Sequence, residues 1–181
     1  LCHHLTANRL NYPLKSFRVI SSGEFSQLLA FNDSKPEGKK SVNWAGLNIC
    51  VVIPTLNESD TIGDLIAKLS ELEDIHLRAI IVGDGSTDGT REIVGVASWW
   101  DADVHLIKRK RNLGFGTAII AGIMRALELD PPPDFIVTMD GDLSHDPRAI
   151  PLLVNMCDGE SVIIGSRYVE GGEILGWNDS R

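Results

Sequence analysis

Residues 134–147, DFIVTMDGDLSHDP, contain an apolar run that stops abruptly at two aspartates. The run Phe135–Met139 has the length and continuous apolar character of a strand that is buried on both faces. Asp140 and Asp142 follow with one glycine between them, and Asp146-Pro147 has the N-cap and first-turn proline typical of a helix start. The stretch therefore predicts a strand, a short acidic loop and a helix, which is the repeating unit of a parallel α/β sheet.

The same alternation of strands and helices extends over the chain from residue 48. Short apolar runs, which predict strands, alternate with segments whose apolar residues recur at helical spacing. The predicted strands are NICVVIP, RAIIVG, DVHLIK, DFIVTM and SVIIG, and the predicted helices are DTIGDLIAKLSEL, TDGTREIVGVASWW, GTAIIAGIMRALEL and RAIPLLVNM. This order predicts an α/β fold in which a parallel sheet is covered by helices on both faces.

The first 47 residues differ from the rest of the chain. They show no sustained period and carry no chemical motif, so we expect residues 1–47 to form an N-terminal extension that is partly ordered at best. The α/β domain is then expected over residues 48–181. The chain starts at Leu1 and ends in GWNDSR without a terminal helix or strand, so we expect a part of a longer protein, incomplete at its C-terminus.

The composition excludes several classes of protein. A chain of 181 residues can bury one sizeable core, and its formal net charge of -8 disfavours a nucleic-acid-binding role. The three cysteines are widely spaced and form no CxxC pair, which argues against a zinc site or a disulfide framework. No stretch approaches the roughly 18 apolar residues of a membrane-spanning helix.

Acidic side chains follow three of the predicted strands. Glu58 comes after the first strand, Asp84 after the second, and Asp140 and Asp142 after the fourth. Any one of them alone could be an ordinary turn or cap residue. Parallel sheets bind their ligands beyond the carboxyl ends of the strands, so the recurrence of acids there favours a polar ligand site.

The pair Asp140 and Asp142 is the sharpest of these signals. Side chains two positions apart in an extended segment point the same way, and Gly141 permits a tight turn and a close approach of ligand. Two adjacent carboxylates repel each other unless one is protonated or a cation compensates them. Because Mg²⁺ is commonly held by one or two carboxylates together with substrate phosphates, the pair predicts a clamp for a metal and a diphosphate.

Two other hypotheses use the same residues. In a phosphatase of the haloacid dehalogenase type, Asp140 would be the nucleophile and Asp142 the acid/base, with Ser144 nearby. That motif usually lies on the first strand of its domain, whereas here it lies on the fourth, and it leaves Glu58 and Asp84 unexplained. The third hypothesis is a non-catalytic module that binds nucleotide sugars.

One dense basic run, Lys108–Arg111, follows the third strand of the otherwise acidic part of the chain. A solvated loop is the simpler interpretation. The functional interpretation is that the run attracts an anionic lipid phosphate or a membrane surface.

Read in order, the motifs PTLNE, GDGSTDGT, NLGFGTA, MDGDLSHDP, GSRY and GGEILGW resemble the dolichyl-phosphate mannose synthase branch of the family 2 glycosyltransferases. The resemblance covers about residues 48–181. It implies a GT-A fold, in which a Rossmann-like parallel sheet binds a nucleoside-diphosphate sugar. It also implies a reaction that depends on Mg²⁺ or Mn²⁺ and transfers the sugar, with inversion, to a polyprenyl or dolichyl phosphate at the cytoplasmic membrane face. The expected sugar is mannose and the expected donor GDP-mannose.

The resemblance implies a nucleoside pocket at the ends of the first two strands. Its residues, carried over by position, would be Pro54, Leu56 and Glu58 around the nucleoside and Val82 and Asp84 at the base and ribose. Two positions depart from the family pattern. The family commonly has a double aspartate where this chain has Gly83-Asp84, and Leu56 replaces a frequent tyrosine, so stacking on the base is lost.

The resemblance likewise implies the catalytic residues. Asp140, Gly141 and Asp142 would hold the metal and the diphosphate, with Ser144 beside the metal. Arg167 would face a phosphate of the donor or the acceptor. The second pKa of a phosphate monoester is about 6, so such an acceptor is largely ionised at neutral pH and needs no strong general base. The chemistry left to Asp140, Asp142 and Arg167 is electrostatic, namely stabilisation of the leaving diphosphate.

Overall fold

The structure, a computed structural model, describes residues 5–9, 16–21, 46–73, 75–97, 103–157 and 161–166. Within these residues the chain forms one sheet and four helices. The strands are β1 (Leu5–Arg9), β2 (Ser16–Ser21), β3 (Asn48–Thr55), β4 (His76–Asp84), β5 (Val104–Arg109), β6 (Phe135–Thr138) and β7 (Ser161–Ser166). The helices are α1 (Ile62–Ser70), α2 (Thr90–Ala97), α3 (Phe115–Leu127) and α4 (Ala149–Met156).

The strands and helices predicted from residue 48 onward are all present, with bounds within a few residues of the prediction. The α/β fold class is therefore confirmed. The second predicted helix was extended to Trp100, but residues 98–102 lie outside the described part of the chain, which follows α2 only to Ala97.

The sheet is parallel apart from one strand. Its described strands lie in the order β2-β7-β1-β6-β3-β4-β5. β3 pairs in parallel with β4 and β6, β4 with β5, and β2 with β7, whereas β1 is antiparallel to both of its neighbours. The parallel pairing brings the carboxyl ends of β3, β4 and β6 to one edge of the sheet, and this edge carries the predicted acids.

Two strands of the sheet come from the first 21 residues. β1 lies between β6 and β7, with Thr6 opposite both Thr138 and Ile164, and β2 pairs with β7. The sequence did not predict this pairing, because partners more than a hundred residues apart leave no local pattern. The division of the chain into an extension and a domain at residue 47 stays a prediction.

Helices cover both faces of the sheet, as predicted. On one face α1, α2 and α4 bury large aliphatic side chains against β3, β4 and β6. Among these buried residues are Ile62, Leu65, Leu69, Val94, Ile150 and Leu153. On the other face α3 packs on β3 and β4, and the core there includes Cys50, Val52, Ile80 and Val82.

Small side chains on α3 let it approach the sheet closely. Ala118, Gly122 and Ala126 are the buried residues of this helix. A Cβ atom added to Gly122 would lie only 2.2 Å from Cγ1 of Val52, so a larger residue fits there only if the Val52 side chain or the helix shifts. The large apolar side chains of α3 lie elsewhere on the helix, and several of them are exposed.

Candidate functional site

Three loops meet at the carboxyl edge of the sheet: the β3 loop (residues 55–61), the β4 loop (residues 84–90) and the β6 loop (residues 140–148). Hydrogen bonds join the first two. The Asn57 N–H donates to Oγ of Ser86 at 3.1 Å, and the Thr87 N–H donates back to Oδ1 of Asn57 at 3.1 Å. The Glu58 N–H donates to Oγ1 of Thr90 at 2.9 Å. These bonds fix the position of Glu58 relative to the end of β4.

Thr61 links the β3 loop to the β6 loop. Its hydroxyl donates to the carbonyl oxygen of Gly141 at 2.8 Å and lies 3.4 Å from Oε2 of Glu58. Gly141 is buried, and a Cβ atom there would be 3.1 Å from Cγ2 of Thr55 and 3.4 Å from Cγ of Glu58. The absence of a side chain at residue 141 thus lets the two loops come together. No local pattern in the sequence identified Thr61 as part of the site.

The two aspartates of the β6 loop have different environments. Asp140 is 9% exposed, whereas Asp142 lies on the surface. The Asp140 N–H donates to Nδ1 of His145 at 3.1 Å, and Oδ1 of Asp142 accepts the Ser144 N–H at 2.9 Å. Leu143 has a left-handed backbone, with φ of 63°, which turns the loop between these two bonds. The loop therefore holds its own shape and presents Asp142 outward, with the exposed Ser144 beside it.

Glu58 lies close enough to Asp140 and Asp142 for their negative charges to affect its pKa. Burial raises the pKa of the Glu58 carboxyl most strongly, the negative charge of Asp142 raises it further, and Asp140 adds to the same direction. The hydrogen bond from Thr61 opposes this shift. The raised pKa of Glu58 marks a region where nearby negative charge is unfavourable and a cation would be stabilised.

The carboxylate oxygens at this edge suit a hard divalent cation whose coordination is completed by a bound substrate. In the described ranges no group of three or more His, Cys, Asp or Glu side chains is arranged to bind a metal by itself. Mg²⁺ and similar ions do not need such a cage, because water and substrate phosphates complete their coordination. Asp140 and Asp142 offer the oxygen ligands that this kind of site uses.

The Asp84 carboxylate, in contrast, is already engaged in hydrogen bonds and an ion pair with other residues of the protein. The side chain is buried, with the residue 4% exposed, and accepts the Leu113 N–H at 3.0 and 3.1 Å and the Gly114 N–H at 3.1 Å. Nη1 of Arg109 lies 3.1 Å from Oδ1 and forms an ion pair with it. The carboxylate therefore fastens the start of α3 to the end of β4, and its contact with ribose stays a prediction.

The remaining predicted residues are spread over three environments. Leu56 is exposed on the β3 loop, and Pro54 is buried at the end of β3. The side chain of Val82 is fully buried in the core beneath α3, so it offers no surface to a base. Arg167 lies outside the described residues. The structure thus brings Leu56, Glu58, Asp140 and Asp142 to the same edge and leaves the Val82 side chain out of it.

The basic run is not uniform. Lys108, Lys110 and Arg111 are exposed, whereas Arg109 is turned inward towards Asp84 and donates from Nη2 to Oγ1 of Thr117 at 2.7 Å. Alternation along β5 places the Arg109 side chain opposite to that of Lys108, whereas Lys110 and Arg111 follow the end of the strand. The sequence did not single out Arg109 as a partner of Asp84. Among the residues with described structure, none of the helices is long and apolar enough to cross a membrane.

The family model for glycosyl transferase family 2 matches residues 50–181. Curated relatives include a dolichol-phosphate mannosyltransferase of Pyrococcus furiosus, 33% identical over 133 residues, which are 72% of this chain and 36% of the relative. An undecaprenyl-phosphate mannosyltransferase of Micrococcus luteus is 33% identical over 135 residues, which are 75% of this chain and 54% of the relative. The chain thus spans between about a third and a half of the length of these relatives, and they confirm the resemblance to the polyprenyl-phosphate mannose synthase branch.

A solved structure shares this fold. A mannosyltransferase from Pyrobaculum calidifontis, solved in complex with GDP-Man and Mn²⁺, matches 74% of this chain and 40% of its own, with a TM-score of 0.53. The sequence identity is 20%, so the likeness concerns the fold alone. Together with the family match, it confirms the GT-A-like architecture that the motifs implied. The chain belongs to glycosyl transferase family 2.

Proposed function

We propose that this chain binds a nucleoside-diphosphate sugar as part of a metal-dependent, inverting glycosyltransferase whose acceptor is a polyprenyl or dolichyl phosphate. The observation that carries the proposal is the convergence of Glu58, Asp140 and Asp142 at the carboxyl edge of the sheet. Mannose is the proposed sugar, because the similar curated proteins are named as polyprenyl-phosphate mannosyltransferases. GDP-mannose is the donor that the sequence motifs imply.

Asp140 and Asp142 are the residues that would hold Mg²⁺ or Mn²⁺ together with the diphosphate, with Ser144 next to the metal. The ion, when bound, supplies positive charge to the leaving diphosphate. The Ser144 N–H holds the Asp142 carboxylate in its outward orientation. The His145 imidazole accepts the Asp140 N–H and so braces the loop rather than offering Nδ1 to a ligand. Arg167 is proposed to face a phosphate of the donor or acceptor.

The nucleoside is proposed to lie over the β3 loop, against Pro54, Leu56 and Glu58. Leu56 offers an exposed apolar surface there, and the bonds to the β4 loop keep Glu58 in place. The sequence motifs also imply that Val82 and Asp84 hold the base and ribose. The burial of Val82 and the internal bonds of Asp84 favour supporting roles for both, one in the core and one in holding the start of α3.

No general base is required of this site. The proposed nucleophile is a phosphate oxygen that is already ionised at neutral pH. The acidic residues can therefore be committed to binding and to charge compensation. The phosphatase hypothesis, with Asp140 as nucleophile, is not favoured by membership in a glycosyltransferase family. Detection of an aspartyl-phosphate on Asp140 would instead support the phosphatase hypothesis.

Calorimetric titration tests the donor directly. GDP-mannose should bind in the presence of Mn²⁺ and much more weakly in its absence, whereas UDP- and dTDP-sugars should bind less well. A preference for a UDP-sugar would be compatible with the proposed metal site but would contradict GDP-mannose as the donor. A non-catalytic module would bind the same donor, so the whole protein that contains this chain should then be assayed for transfer of mannose to a polyprenyl phosphate.

The proposed polyprenyl phosphate acceptor implies that the protein works at a membrane surface. A polyprenyl phosphate keeps its hydrocarbon chain in a bilayer and its phosphate at the surface, so the site must meet a membrane. We propose that the chain acts at the cytoplasmic membrane face as a peripheral domain. The three exposed basic residues of the run Lys108–Arg111 lie at the correct edge of the sheet for contact with anionic lipid.

A further inference from the structure

The helix α3 exposes several of its large apolar side chains. Ile120 and Met124 are 62% and 56% exposed, and Leu127 is also exposed. The spacing of these three residues, i, i+4 and i+7, places them on one side of the helix. Exposed apolar side chains of Leu113 and Phe115 stand at its N-terminal end. Of the 13 residues in α3, only Arg125 is charged, whereas helices that are apolar all round are normally covered.

The helix α1 shows how this chain builds an ordinary surface helix. It buries Ile62, Leu65 and Leu69, and it exposes Asp64 and Lys68. α3 reverses this arrangement because Gly122 and its small neighbours face the sheet. Contiguous exposed apolar side chains of this kind mark an interaction surface.

The charge next to this face is opposite to that of the chain as a whole. Residues 104–127 contain five Lys/Arg and no Asp/Glu, although the whole chain has a net charge of -8. The exposed members Lys108, Lys110 and Arg111 directly precede Leu113. The combined set is called the basic–apolar surface below, and it consists of Lys108, Lys110, Arg111, Leu113, Phe115, Ile120, Met124 and Leu127.

The basic–apolar surface is fastened to the candidate site. Asp84 accepts the N–H groups of Leu113 and Gly114, and Arg109, in the middle of the basic run, pairs with the same carboxylate. The start of α3 is thereby held at the carboxyl edge of the sheet, where the β3 and β6 loops lie. Whatever binds this surface is brought close to that edge.

We propose that the basic–apolar surface docks on an anionic lipid bilayer. Apolar side chains beside lysine and arginine are the combination that binds the boundary between headgroups and acyl chains, and each basic residue near an anionic surface adds roughly fivefold to binding. The choice of a bilayer as the occupant rests on the proposed polyprenyl-phosphate acceptor. The charge of the surface supports it independently, since it complements anionic headgroups.

The test is flotation of the chain with vesicles of equal parts phosphatidylserine and phosphatidylcholine, compared with phosphatidylcholine alone. The chain should float with the anionic vesicles only, and salt should weaken the binding. The double substitution Ile120→Ser/Met124→Ser and the triple substitution Lys108→Gln/Lys110→Gln/Arg111→Gln should each abolish flotation. Val96→Ser on α2 is the matched control, because Val96 is 60% exposed in the same way but lies on a helix that covers the opposite face of the sheet.

Two further readouts separate this proposal from the proposed function. Titration with GDP-mannose and Mn²⁺ reports on the donor site, which neither set of substitutions should change. Normal donor binding without flotation would overturn the docking surface alone, whereas flotation without donor binding would leave it standing and overturn the proposed function. Sedimentation analysis that showed a dimer dissociated by Ile120→Ser/Met124→Ser would also overturn the proposal, since a second copy would then be the occupant.

Discussion

The β4 loop and the β6 loop begin alike and do different things. Each starts with Asp-Gly after a buried strand. In the β4 loop Asp84 is held by Arg109 and two backbone N–H groups, whereas the β6 loop adds a second, exposed aspartate, Asp142, and lies beside Glu58. The residues that lie next to each loop explain why the two loops differ. β5 supplies a cation to the end of β4, while the end of β6 meets Glu58. The same sequence signal therefore organises the fold in one loop and offers charge to a ligand in the other.

The largest difference should appear at the glycines of the β4 loop. Gly85 has φ of +88°, and a Cβ atom there would lie 2.9 Å from backbone atoms of Arg111 and Asn112. Gly85→Ala should therefore lower the free energy of unfolding by about 2–5 kcal/mol, from backbone strain and overlap together. Gly89→Ala is the control, because Gly89 has φ of +96° with open space around it, and it should cost only about 1–2 kcal/mol. Equal losses in urea unfolding would contradict the close packing of the β4 loop.

The two aspartates themselves give the next effect. Asp84→Asn should lower the free energy of unfolding by about 3 kcal/mol, because it leaves Arg109 without its buried counter-charge. Asp142→Asn should change it by no more than about 0.5 kcal/mol, since Asp142 is exposed. Chemical unfolding of both variants measures the contrast. Similar stability losses would mean that the two loops do not differ as described.

A smaller effect is expected from Glu58 and should depend on pH. The pKa of this carboxyl is raised in the folded chain, so its protonated form is favoured there relative to the unfolded chain. Its contribution to stability is then present at low pH and is lost as pH rises from the ordinary glutamate value through the folded one. Glu58→Gln should remove this loss, so the variant should gain in thermal unfolding temperature over the wild type across that pH window. A constant difference at every pH would contradict the raised pKa of Glu58.

The sequence predicts the parts of the fold that depend on patterns among neighbouring residues. Continuous apolar runs define β3 to β7, and helical spacing defines the four helices, because these patterns arise from neighbours along the chain. The place of β1 between β6 and β7 depends on residues far apart and has no such pattern. The helix α3 was predicted, but which side of it would be exposed was not, since that depends on the fit of Gly122 against Val52.

The candidate site divides in the same way. Parallel topology brings Glu58, Asp140 and Asp142 to one edge, so the order of strands is enough to predict their proximity. The partner of Asp84 could not be predicted, because Arg109 looks like any other member of a basic run until its side chain is seen to turn inward. Val82 shows the same limit, since an apolar residue at a strand end can face either the core or a ligand.

Asp142 is proposed to bind a metal together with the diphosphate of a sugar nucleotide. Calorimetric titration of GDP-mannose into the wild-type chain and the Asp142→Asn variant, each with and without Mn²⁺, tests it most directly. Mn²⁺ should strengthen binding to the wild type and have no effect on the variant, whose fold should be unchanged. An equal gain from Mn²⁺ in both proteins would contradict the account.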